Sequence, residues 1–125
     1  MKTVLVVDDK ESTREAVCEC LGGDYSTIEA CNGEEAITIL GETSDISLVV
    51  LDIEMPVTNG WETLRVIRDE DGWPDMPVIM LTVHDEPECV LKAWGLGVNY
   101  YVTKPFSPIT LLELTHKAIK ETVND

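Results

Sequence analysis

Four short apolar stretches of this chain each lead into a side chain able to do chemistry. Residues 3–7 lead into Asp8-Asp9, 46–51 into Asp52, 78–81 into Thr82, and 99–103 into Lys104. Three carboxylates brought together repel one another, and burial raises their pKa values unless something positive compensates. A hard divalent cation does so through oxygen ligands; Mg²⁺ takes one or two carboxylates and keeps several waters. Lys104 adds a movable point charge from the far side. Such a cation and an ammonium together clamp the oxygens of a phosphoryl group, with positioning and charge stabilisation supplying most of the catalysis. Asp52, between the acidic pair and the lysine, is the candidate nucleophile, since a carboxylate can form an aspartyl phosphate. The Thr82 hydroxyl can donate to the new phosphate.

Taken one at a time, these residues have plainer uses. Asp8 and Asp9 suit helix N-caps, and Asp52 suits a turn before Pro56. Thr82 suits a strand-end hydroxyl bonded to nearby backbone, and Lys104 an exposed surface lysine. Their chemistry therefore depends on the elements that would bring them together.

Val4-Leu5-Val6-Val7 is apolar without alternation, the pattern of a strand buried on both faces and hence of a parallel sheet. Further strands are predicted over 25–30, 46–51, 78–81 and 99–103, the third stopped by Pro56. Between them lie helical patterns. The first covers 10–21, with Thr13, Val17, Cys20 and Leu21 in phase and Gly22-Gly23 as its stop. The second starts at Asn32, where Asn32 can cap and Glu35 can reach back. The third carries Trp61, Leu64 and Ile67 after an Asn59-Gly60 loop, the fourth opens around Pro87, and the fifth begins at Ser107-Pro108 and runs to about residue 123. Strand and helix alternate five times, which predicts an α/β fold: a five-stranded parallel sheet covered by helices on both faces. The first turn has no G-x-G, so the flavodoxin-like order 2-1-3-4-5 is expected.

Length suits one domain over 1–125. The 24 acidic against 9 basic residues, net charge −15, argue against binding nucleic acid or an anionic membrane. No apolar run approaches the ~20 residues that span a bilayer. The N-terminus has no signal-peptide anatomy, so a cytoplasmic protein is expected. Cys18, Cys20, Cys31 and Cys89 match no zinc spacing and are expected as free thiols.

The motifs together resemble the receiver domain of two-component response regulators. They are Val6-Val7-Asp8-Asp9, Asp52-Ile53-Glu54-Met55-Pro56 with Asn59-Gly60, Leu81-Thr82, and Gly97 through Phe106 with Lys104-Pro105. The resemblance covers essentially the whole chain. It implies that Asp52 is the phosphoacceptor, taking phosphate from a histidine kinase or phosphotransfer protein. It also implies that Asp9, Asp52 and the Glu54 backbone carbonyl ligate Mg²⁺, with Asp8 acting through a bound water. Lys104 would pair with the phosphate, and its bond to Pro105 is expected to be cis. Thr82 and Tyr101 would form the switch, changing the helix 4–strand 5–helix 5 face that meets a downstream protein or effector domain. Such a domain catalyses its own phosphorylation and dephosphorylation and is not a turnover enzyme.

Three positions modulate this expectation. Val83 follows Thr82 where the family usually has alanine, serine or glycine, and its branched side chain narrows access. Glu54 and His84, two beyond Asp52 and Thr82, occupy positions that in the family tune the lifetime of the aspartyl phosphate. Other readings compete. A haloacid-dehalogenase-like phosphatase needs an acid-base Asp two after its nucleophile, where Asp8 has Lys10 and Asp52 has Glu54. A flavin-binding module needs a Ser/Thr/Gly-rich first loop, which Asp8-Asp9 replaces. A degenerate receiver used only for docking would not need the full set of Asp8, Asp9, Asp52, Thr82 and Lys104. Whether the receiver stands alone or is cut from a longer regulator stays open, as do its kinase and output.

Overall fold

The computed structural model describes residues 1–55 and 59–123. Pro56, read above as the stop for the third strand, and the last two residues lie outside the described residues. Five strands alternate with five helices: β1 (Thr3–Val7), α1 (Glu11–Leu21), β2 (Ser26–Ala30), α2 (Gly33–Glu42), β3 (Ile46–Leu51), α3 (Gly60–Arg68), β4 (Val78–Thr82), α4 (Pro87–Gly95), β5 (Tyr100–Thr103) and α5 (Pro108–Val123). The strands form one parallel sheet in the order β2-β1-β3-β4-β5. This is the expected flavodoxin-like topology.

The two-sided burial read from the apolar runs has a direct counterpart in packing. Side chains alternate across a strand. Leu5, Val7, Val49, Leu51, Val78 and Met80 join Ala36, Leu40, Leu64, Ile67 and Ala93 on the face covered by α2, α3 and α4. Val4, Val6, Leu48, Val50, Ile79 and Leu81 join Val17, Leu21, Leu111, Ala118 and Ile119 on the face covered by α1 and α5. The central strands are apolar at successive positions because both faces need filling.

Helix starts follow local chemistry, with one departure from expectation, at α3. At α2 the Asn32 side chain accepts the Glu35 amide at 2.8 Å, and the Glu35 carboxylate accepts the Cys31 amide at 3.2 Å. This reciprocal cap reaches one residue further back than the usual box. Neither Asp8 nor Asp9 caps α1; Lys10 holds that position with no side-chain cap. Asn59-Gly60, read as a loop breaker, instead starts α3, the Asn59 side chain accepting the Glu62 amide at 3.0 Å.

Gly60 is at this helix start for a reason of space. A Cβ there would run into the carbonyl of Asp52 and the Cα of Ile53, both backbone atoms that cannot rotate away. The Gly60 amide donates to the Ile53 carbonyl at 2.8 Å, so α3 is docked directly on the segment carrying Asp52. Helix propensity alone would make Gly60→Ala stabilising by about 1 kcal/mol. The clash reverses the sign: overpacking against fixed backbone costs about 1–3 kcal/mol. Gly60→Ala is expected to lower the urea midpoint with an unchanged slope; an unchanged or raised midpoint would show that the close approach is not a constraint.

Candidate functional site

Parallel pairing continues past the strand ends and pins the residues that follow them. The Asp8 amide donates to Ala30 O at 3.1 Å, the Asp52 amide to Val7 O at 3.1 Å, and the Lys104 amide to Thr82 O at 2.8 Å. Because the strands are parallel and in register, Asp8, Asp52, Thr82 and Lys104 emerge at one edge of the sheet. This is the carboxyl edge, where open α/β sheets bind ligands. The Lys104-Pro105 peptide is cis, as the resemblance implied.

Lys104 crosses from β5 to the middle of the sheet. Its Nζ lies 2.7 Å from Asp8 Oδ2 and 3.2 Å from Asp52 Oδ2. It is no surface lysine: its side chain is 13% exposed, against 3% and 6% for those of Asp8 and Asp52. Asp9 is exposed, yet one carboxylate oxygen from each of Asp8, Asp9 and Asp52 falls within 4.8 Å of the others. Three carboxylates against one ammonium leave the cluster short of positive charge. Its donors are all oxygens, the set a hard cation takes.

The charges respond as burial and proximity dictate. Burial pushes the Asp52 carboxyl above its ordinary range, and the Asp8 charge adds to this against the opposing pull of Lys104. Burial lowers the Lys104 ammonium, but the Asp8 hydrogen bond and the two carboxylate charges outweigh it and the net shift is upward. The pair is thus held as an ammonium amid carboxylates that lack enough of it.

Asp8 is itself tied down. Its Oδ1 accepts the Lys10 amide at 2.9 Å, and its carbonyl accepts from Arg14 Nη1 at 2.8 Å, while Arg14 Nε reaches Glu29 at 3.0 Å. Arg14 escaped the sequence reading because an arginine on a helix carries no signal of its own. Trp61, read only as a core-facing helix residue, also lines the crevice at this edge, beside Asp9, Asp52, Glu54, Val83 and Lys104.

The rim is organised by His84. Its Nε2 lies 2.6 Å from Glu54 Oε1 and its Nδ1 3.3 Å from Glu86 Oε2. These two carboxylates, first by hydrogen bonding, raise the imidazole pKa above its ordinary value. The His84 amide donates to Thr82 Oγ1 at 3.3 Å, and the His84 carbonyl accepts from the Tyr101 hydroxyl at 2.7 Å. Burial, with nearby Cys89, Glu86 and Asp85, pushes the Tyr101 phenol up to about 12, so it remains a donor. Thr82 and Tyr101 are therefore joined through the backbone of His84. Thr82 is fully buried, and Val83 stands exposed at the mouth of the crevice.

The chain is similar to known proteins over most of its length. Residues 4–116 match the profile of the response regulator receiver domain. The chain is 37% identical over 112 residues to a chemotaxis protein CheY homolog of Campylobacter jejuni, covering 88% of this chain and 86% of that one. It is 32% identical over 122 residues to the phosphate regulon transcriptional regulatory protein PhoB of Pseudomonas aeruginosa, covering 97% of this chain and 53% of that protein. The structure superposes on a CheY-like receiver domain protein of Methanospirillum hungatei with a TM-score of 0.90 at 26% identity, covering 99% of this chain and 98% of that one. The chain belongs to the response regulator receiver domain family, a family of two-component signalling domains that interact with histidine kinases or phosphotransfer proteins and with effector domains.

The raised Asp52 carboxyl has a consequence for stability. A folded-state pKa above the unfolded one means the fold holds that proton more firmly. The corresponding stability is present below the unfolded value of 3.8 and is lost as pH rises through the folded one. At neutral pH the Asp52 carboxyl therefore opposes folding, and Asp52→Asn removes that cost while Lys104 keeps Asp8. Without divalent cations, Asp52→Asn is expected to unfold at higher urea than the wild type at pH 7, with the gap narrowing at acid pH. Urea titrations at both pH values test this; a less stable variant at pH 7 would contradict it.

Proposed function

We propose that the crevice accepts a phosphoryl group on Asp52 from the phosphohistidine of a histidine kinase or phosphotransfer protein, and that this changes the face formed by α4, β5 and α5. The observation that carries the reading is Lys104 Nζ bridging Asp8 and Asp52 beside a third carboxylate. A carboxylate oxygen of Asp52 attacks phosphorus, the P–N bond breaks, and its electron pair stays on the departing imidazole, which takes a proton from solvent.

The oxygen donors of the cluster suit Mg²⁺. Asp9, Asp52 and the Glu54 backbone carbonyl would hold it, with Asp8 acting through a bound water. When bound, the ion supplies the positive charge that the carboxylates lack and that a phosphoryl group needs. Lys104 can move from the Asp52 oxygen to a phosphoryl oxygen while it keeps Asp8. The Thr82 hydroxyl turns toward the same phosphate. Thr82 now accepts the His84 amide, so its movement disturbs the loop whose carbonyl holds Tyr101. Tyr101 would then swing inward. Phosphate contacts supply the differential energy between the two packings. Leu91 and Trp94 on α4 and Ile109 on α5 are exposed apolar side chains on the output side.

Residues 1–125 act in this reading as one receiver unit in the cytoplasm, catalysing its own phosphorylation and dephosphorylation. Among the described residues no helix is long and apolar enough to cross a membrane, and the net charge of −15 disfavours nucleic acid.

A small phosphodonor with Mg²⁺ should label the wild type, and neither Asp52→Asn nor chelator-treated protein; equal labelling of the variant would overturn the assignment. The Glu54–His84 contact lies beside the path of an attacking water. Breaking it by His84→Ala or Glu54→Asn should shorten the lifetime of the labelled protein several-fold. Decay rates identical to wild type would remove both residues from that role.

A further inference from the structure

We propose that His84, Glu86 and Cys89 form a second metal site, suited to Zn²⁺, at the junction of β4 and α4. It goes beyond the phosphoryl chemistry and does not depend on it. One ligand atom from each of the three residues lies within 4.8 Å of the others. Tetrahedral Zn²⁺, with bonds of about 2.0–2.3 Å, brings such atoms to roughly 3.3–3.7 Å apart. The side chains must therefore close by about an ångström, and none of the three is fully buried.

The orientation of His84 points to a cation. Its Nε2 is committed to Glu54 Oε1 at 2.6 Å, leaving Nδ1 to face Glu86, 3.3 Å from Oε2. A carboxylate oxygen offers only lone pairs, and so does an imidazole nitrogen without a proton. Something positive belongs between them, a proton or a metal ion. Metal-bound histidines characteristically give their other ring N–H to a carboxylate, which fixes the tautomer. Glu54 already occupies that place. The Cys89 thiol lies in the same cluster, within 4.8 Å of the other two ligand atoms. This makes an N/O/S donor set, distinct from the all-oxygen cluster of Asp8, Asp9 and Asp52, and it selects a borderline-soft ion over Mg²⁺.

The N-terminus of α4 carries partial positive charge and works against a cation there. Glu54, Asp85, Glu86 and Glu88 offset it. On loading, protons leave Cys89 Sγ and, where present, His84 Nδ1 for solvent, with no change of oxidation state. Water completes the coordination.

Co²⁺ is a visible substitute for Zn²⁺. The full chain, reduced by a phosphine and held in excess Mg²⁺, is titrated with Co²⁺ and followed by absorption. One equivalent should produce a thiolate-to-cobalt charge-transfer band and tetrahedral d–d bands, both removed by Zn²⁺. Cys89→Ser should lose the charge-transfer band, and His84→Gln should weaken binding tenfold or more. Cys31→Ser, which removes another thiol beside a glutamate, should leave the band intact. Circular dichroism checks that each variant is folded. Absence of the band in the wild type, its survival in Cys89→Ser, tight binding by His84→Gln, or its loss in Cys31→Ser overturns the site.

Discussion

The structure depends on keeping two carboxylates out of water beside a single ammonium. Asp8 and Asp52 sit at the ends of adjacent buried strands, and Lys104 reaches from two strands away to lie between them. Removing Lys104 would leave two buried carboxylates uncompensated, which is far more costly than the loss of an exposed pair, whereas removing Asp52 leaves Lys104 paired with Asp8. The arrangement therefore depends on holding the strand ends in fixed register. The backbone bonds that continue each ladder past its strand do this.

Other features serve the same constraint from further out. Arg14 and Glu29 brace the carbonyl of Asp8. Gly60 lets α3 sit against the backbone of Asp52, where any side chain would hold it off. Arg68, at the end of α3, donates to the Gly97 carbonyl at 2.9 Å and fixes the turn at which β5 is approached. That turn needs a glycine, since Gly97 has φ +80. The cluster is left short of positive charge, the deficit that the proposed divalent cation would meet before a phosphoryl group could approach.

Around this rigid centre the rim is held by single hydrogen bonds. His84 alone connects Glu54, Glu86, Thr82 and Tyr101, using both ring nitrogens and both backbone polar groups. All four of these contacts meet in one short loop. The core beneath does not share this property, since its packing is apolar and continuous on both faces of the sheet. The contrast separates a continuously packed scaffold from a rim joined by a few polar contacts, the part on which the proposed switch would act.

Much of this was legible in the order of residues. Strand and helix positions follow from apolar periodicity and from residues such as Asn32, Pro87 and Ser107, whose interactions span four residues or fewer. The alternation restricted the topology, and the topology put Asp8, Asp9, Asp52, Thr82 and Lys104 on one edge. Only the tertiary structure decided that Asp8 is buried while Asp9 stays exposed, and that Arg14 supports the site. It also decided that Glu54 meets His84, thirty residues away, and that Cys89, with no zinc-like spacing to any other cysteine, lies beside a histidine and a glutamate. Local patterns report forces acting within a turn or a strand. Contacts between loops depend on register, crossover and side-chain reach, which exist only once the sheet has formed.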